Sequence, residues 1–231
     1  MTELNAKPID FKFGQYLSNG FEFLKNNFGN LLLAVIFCMI MTFIPLCGLL
    51  GMGNLYKYCR KLRKGQTTSG PGEIFNFDDF MPYLMLQLII LGGMLLLFIP
   101  LFFIALLTRI GGDDSAVGSV MAAVCMIVFY IALFYVIFRG FYIPALISLG
   151  EVKDIKKAWN MSKIMTKGNF WSILGFAIVV GMLSQLGILA CGIGILLTLP
   201  FNYTANYFAF EDAMQQIEHD EIKEIGLKNE Y

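Results

Sequence analysis

The chain has 231 residues, 57% of them hydrophobic and 15% charged, with a mean hydropathy of +0.67 and a formal net charge of zero. That composition is too apolar for a water-soluble domain of this length and places the chain in a bilayer. No nucleic-acid partner is expected.

The N-terminal stretch up to Asn30 carries six charges (Glu3, Lys7, Asp10, Lys12, Glu22 and Lys25) but no early apolar run and no small-residue cleavage site. No removable signal peptide is therefore expected, and the membrane segments themselves supply targeting. Residues 10–27 read as an amphipathic helix. Phe13, Tyr16, Leu17, Phe21, Phe23, Leu24 and Phe28 share one face, and Lys12, Gln15, Ser18, Asn19, Glu22, Lys25 and Asn26 share the other. Such a helix is expected to lie along a leaflet with its apolar face in the acyl boundary.

Residues 28–64 form an apolar run broken by PLCGLLGMGN, from Pro45 to Asn54, and closed by the basic string YKYCRKLRK. Whether the chain crosses or turns back at the break decides the topology. Residues 80–108 and 116–149 are expected to be two longer central helices, because Phe80 to Leu107 and Ala116 to Phe138 each exceed about 20 residues without a formal charge. Arg139 ends the second of these charge-free runs yet precedes another apolar stretch, FYIPALISL. Two roles are open for it: snorkelling to the interface, or pairing with Asp78, Asp79, Glu151 or a lipid phosphate.

A second amphipathic helix follows over 152–167. Val152, Ile155, Ala158, Trp159, Met161 and Met165 oppose Lys153, Lys156, Lys157, Lys163 and Lys167, the lysines suiting anionic headgroups. Residues 169–213 then hold the tract Phe170 to Phe210, 41 residues without a formal charge. As one helix it would be about 60 Å long, twice a hydrocarbon core, so a hairpin turning near LGILACGIG is expected. Residues 214–231 form a charged tail that contains the only histidine, His219.

An internal repeat bears on the break at Pro45. Asn27-Phe28 matches Asn169-Phe170, Cys47-Gly48 matches Cys191-Gly192, and Asn54 with Tyr56 and Tyr58 resembles Asn202 with Tyr203 and Tyr207. If the second copy turns at Cys191-Gly192, the first turns at Pro45 to Gly48. Six spans then place both termini and the loops 57–79 and 139–168 on one side with sixteen of the seventeen Lys and Arg residues, leaving only Arg109 opposite, beside Asp113 and Asp114. Five spans would strand Lys7, Lys12 and Lys25 across the membrane, a poorer fit to the positive-inside rule. The expected fold is an all-α polytopic membrane protein of six transmembrane helices. Two parallel repeats, each an interfacial helix plus a transmembrane hairpin, flank the two central helices.

The order FGQYLSNGFEFLKNNFGNLLL, FNFDDFMPYL, AWNMSKIMTKGNFWSIL and GIGILLTLPFNYTANYFAFEDAM resembles the uncharacterised bacterial six-helix integral membrane proteins. It is also similar to the membrane domain of some glycerophosphodiester phosphodiesterases. The resemblance covers nearly the whole chain and implies a multi-pass protein of the bacterial cytoplasmic membrane, and the charge count places both termini on its cytoplasmic side. It implies no reaction, and no phosphodiesterase catalytic domain is present.

Catalytic patterns are absent: one histidine supports no Ser/His/Asp arrangement, and no HExxH, Walker A or dinucleotide-binding pattern occurs. No enzymatic activity, metal or cofactor is expected. The cysteines form no CxxC pair and read as small packing residues, although the repeat places Cys47 and Cys191 at matching turns where a disulfide is conceivable. The spans hold no ionisable residue of the kind coupled carriers use, and the polar cluster Asn202, Tyr203, Thr204 and Asn206 reads as interhelical hydrogen bonding. The expected function is a non-enzymatic membrane scaffold or binding protein that engages anionic lipid or a partner protein at the cytoplasmic face. Arg139, Lys153, Lys156, Lys157, Trp159, Lys163, Asp78 and Asp79 are its candidate contacts. A homo-oligomer is one possible partner, and a passive transporter, channel or lipid-translocating protein is the alternative.

Overall fold

The computed structural model describes residues 6–66, 70–110, 116–189 and 194–228. Among them every regular element is helical. Helix α1 (Phe13–Asn26) ends where the Asn27 backbone N–H reaches the Leu24 and Phe23 carbonyls and its side-chain amide donates to the Phe23 carbonyl. The chain then bends by 101° into α2 (Phe28–Phe43). Leu31, Ala34, Val35, Cys38 and Met41 recur at helical spacing and are buried on one face of α2. The helix stops at Ile44, which precedes Pro45 and is extended, as proline demands of the residue before it.

Leu46 takes a left-handed φ of 61° and the chain turns back into α3 (Gly48–Arg63). Gly51 makes this return tight: a Cβ there would lie 2.8 Å from the Met41 Cβ. The run from Leu31 to Arg63 is therefore a helical hairpin. A 3₁₀ turn (Pro71–Phe75) follows and is pinned on α3 by Asn54, whose amide donates to the Ile74 and Asn76 carbonyls.

Two long apolar helices come next, α4 (Phe80–Ile110) and α5 (Ala116–Arg139). The expected continuous helix over 116–149 is interrupted. Tightened backbone bonds at Gly140–Tyr142 separate α5 from the short α6 (Ile143–Ser148), because Ser162 Oγ accepts the Tyr142 N–H and donates to the Arg139 carbonyl. The second copy follows: α7 (Ile155–Met165), a 103° bend, α8 (Phe170–Gln185), a 3₁₀ turn (Leu186–Leu189) and α9 (Gly194–Lys228). Helices α2 and α8 have 16 residues each and begin at the matched Phe28 and Phe170. The expected turn at Cys191-Gly192, and with it any disulfide to Cys191, lies outside the described residues; Cys47 is a buried free thiol.

The amphipathic helices depart from expectation. Tyr16, Gly20, Phe23 and Leu24 of α1 are buried against protein: Phe23 packs on Tyr207 and Phe208, and Gly20 lets α1 cross α9 with a notional Cβ only 2.9 Å from the Ala205 backbone. On α7, Ala158, Met161 and Met165 are equally buried. An apolar stripe is satisfied by a protein core as well as by acyl chains, and here the core takes it. Phe21 of α1 points outward instead.

Helices α4 and α5 are the reverse case. Fourteen large apolar side chains on α4 and eleven on α5 are exposed among the described residues. At about 1 kcal/mol for each half-exposed side chain, water contact would forfeit of order 25 kcal/mol, more than the ~5–15 kcal/mol that holds a domain folded. These surfaces call for an apolar covering. By length and composition the tract Ala123–Ser148 suits a membrane crossing, and its most apolar 18-residue window holds no buried residue. If each bent pair counts as one span, the described residues hold three candidates.

Candidate functional site at the lysine-rich end

The charged groups gather around α3, which packs against both α4 and α9. Asp79, buried just before α4, is bracketed by Lys57 of α3 and by Lys153 Nζ at 3.4 Å. One turn along α3, Arg60 donates Nε to Glu211 of α9 at 2.7 Å and Nη1 to the Leu149 carbonyl at 2.8 Å, which ties both repeats to the end of α6. The adjacent Asp212 accepts from Lys12 Nζ (3.0 Å), from the Tyr16 hydroxyl (2.6 Å) and from Gln216 Nε2 (2.6 Å). Burial, and after it the bond donated to the Asp212 carboxylate, raises the Tyr16 phenol above its usual range. Gln216 also clasps both backbone groups of Asp10, while Ile9 donates to the Met165 carbonyl and accepts from Asn169, so the N-terminal segment is strapped across the second repeat.

Arg139 is also held by protein. Its Nη1 donates to the Lys163 carbonyl at 3.1 Å and approaches Thr166 Oγ1 at 3.5 Å, and the guanidinium lies over the Tyr135 and Phe138 rings at 5.5 and 5.9 Å. The expected carboxylate partners are not used. Asp79 is taken by Lys57 and Lys153, Asp78 is bonded to Asn76, and Glu151 is exposed, whereas the Lys163 carbonyl, in the last turn of α7, attracts a cation by charge and by hydrogen bonding.

Helix α7 carries the surface chemistry. Asp154 caps it, accepting from the Lys156 and Lys157 backbone N–H groups. Lys156, Lys157, Lys163 and Lys167 are exposed and without an ion pair among the described residues, unlike Lys153. Trp159 is half-buried, close under Gly140 of the α5–α6 turn. Trp171 is 80% exposed at the start of α8, four residues after Lys167. It was open to recognition as an aromatic immediately following a basic segment, the pattern of a membrane-interface anchor. Arg60 and Glu211, 151 residues apart, carried no such local signal.

The polar cluster on α9 is occupied internally. Asn206 donates to the carbonyl and side chain of Asn202, and Thr204 donates to the Phe201 carbonyl, so these bonds run within α9 and not between helices as expected. Among the described residues no group of three or more His, Cys, Asp or Glu is placed to hold a metal ion.

The chain matches no family model, no curated protein and no solved structure.

Proposed function

We propose that this is a non-enzymatic, multi-pass protein of the bacterial cytoplasmic membrane that gathers anionic phospholipid at its lysine-rich face and offers that face as a scaffold to a partner. The observation that carries the reading is the set of four exposed lysines without an ion pair among the described residues, Lys156, Lys157, Lys163 and Lys167, in a stretch that also exposes Ile164 and Trp171. The ammonium groups suit phosphates, and the indole suits the boundary between headgroup and acyl chain. Lys153 takes a lesser part because Asp79 holds it. Helices α2, α3, α4, α5, α8 and α9 are the six membrane-embedded helices of this reading, both termini lying with the lysines on the cytoplasmic side. The resemblance to six-helix bacterial membrane proteins agrees with that placement.

Each lysine near an anionic surface contributes about 1 kcal/mol, so the four together supply up to roughly 4 kcal/mol of preference for acidic lipid. Replacing all four with Gln is expected to leave membrane insertion intact and to reduce the phosphatidylglycerol and cardiolipin that copurify, as read by mass spectrometry of extracted lipid. Unchanged retention would reduce the lysines to orientation signals.

A further inference from the structure

Helix α4 runs antiparallel to α3 in a register fixed by two contacts: Asp79 meets Lys57, and Tyr83, bonded to Ser148 Oγ at 2.6 Å, lies against Gly53. Four residues forward on α4 correspond to four residues back on α3. Continued at the same pitch, Gly48, nine residues back from Lys57, comes level with Leu88, about 14 Å from the Asp79 layer. Helix α4 then runs on from Leu88 to Ile110, a further ~33 Å. The whole of α4, near 46 Å, matches a bilayer with its headgroups, about 40–45 Å, so the α2–α3 turn falls short of the midplane.

The α2–α3 turn ends in apolar side chains: Phe43 is 86% exposed, with Ile44 and Leu46 beside it. This tip requires an apolar surrounding, and the reach of the hairpin places it within one leaflet.

We propose that α2–α3 is a re-entrant hairpin embedded among the acyl chains of the lysine-side leaflet, so that the chain returns at Pro45 without crossing the bilayer. This depth assignment rests on the membrane reading above but not on the lysines' choice of lipid.

The test uses the full chain in sealed phosphatidylcholine vesicles, a neutral lipid that removes the lysine effect. A single cysteine replaces Leu46 in a background whose native cysteines are Ala, with Lys61→Cys as the near-side control. The expected result is that an impermeant maleimide does not label Leu46→Cys from either side until detergent is added, while Lys61→Cys labels from the near side. A bimane at Leu46→Cys is expected to be quenched by lipids brominated along the acyl chain. Labelling of the tip from the far side would overturn the proposal in favour of a complete crossing, and labelling from the near side would overturn it by placing the hairpin outside the bilayer.

Discussion

Arg60 and Glu211 are both mostly shielded from solvent, so neither charge is independent of the other. Removing one partner of a buried pair leaves the second charge uncompensated, at a cost of about 3–5 kcal/mol, whereas replacing both with apolar residues is often close to neutral. Glu211→Gln is expected to lie near the lower bound, because the Leu149 carbonyl still accepts from Arg60. Arg60→Met combined with Glu211→Leu should recover most of the loss. Thermal unfolding in mild detergent reads the coupling, and additive losses would mean the pair is not mutually dependent. Arg139 differs, since its partners are neutral carbonyl and hydroxyl oxygens and two ring faces. Lysine keeps the charge at the α7 C-terminus but loses the planar fork and the stacking, so Arg139→Lys is expected to cost about 1 kcal/mol. A melting temperature equal to that of the native protein would leave Arg139 as a simple snorkelling residue.

Within one element, α1 shows how a helix is positioned by a single close approach. Gly14 has no atom within 4 Å of a notional Cβ, whereas Gly20 would drive a Cβ into the Ala205 backbone of α9. The same substitution therefore has opposite signs in one helix. Gly14→Ala is expected to stabilise by about 0.5–1 kcal/mol through reduced chain entropy. Gly20→Ala is expected to destabilise by about 1–3 kcal/mol as α1 is pushed off α9. Equal melting shifts for the two variants would mean that α1 does not seat on α9 as closely as Gly20 implies. The helix also carries the Tyr16–Asp212 and Lys12–Asp212 bonds, so the displacement would loosen the charged end as well.

Over the whole molecule, charge asymmetry and helix depth are separate properties. The positive-inside count places both termini on the same side when each hairpin crosses fully and equally when it turns back within a leaflet, because either path returns to its starting face. Reporters active only in the cytoplasm, fused in turn to the two ends, are expected to be active at both. Activity at one end alone would require an odd number of crossings. The lipid retention of the four-lysine variant and the labelling of the α2–α3 tip are independent of that count, so orientation, lipid choice and depth can each fail alone.

The amino-acid order by itself determined the helical class and the apolar central pair. It also located the elbows at Asn27-Phe28 and Asn169-Phe170, where α2 and α8 begin. These are local properties, carried by composition and by a period of about 3.6 residues. Only the tertiary structure decided what covers the apolar stripes of α1 and α7, since a stripe buried by a neighbouring helix is identical in sequence to one buried by lipid. It likewise decided that Arg139 is held by the end of α7 rather than by Asp78 or Asp79, and that Arg60 meets Glu211. The register of α4 on α3 belongs with these, because Asp79–Lys57 and Tyr83–Gly53 join segments whose separation along the chain leaves no periodic trace. Contacts between distant residues are chosen by packing and by the burial of charge, and neither is complete until the whole chain has folded.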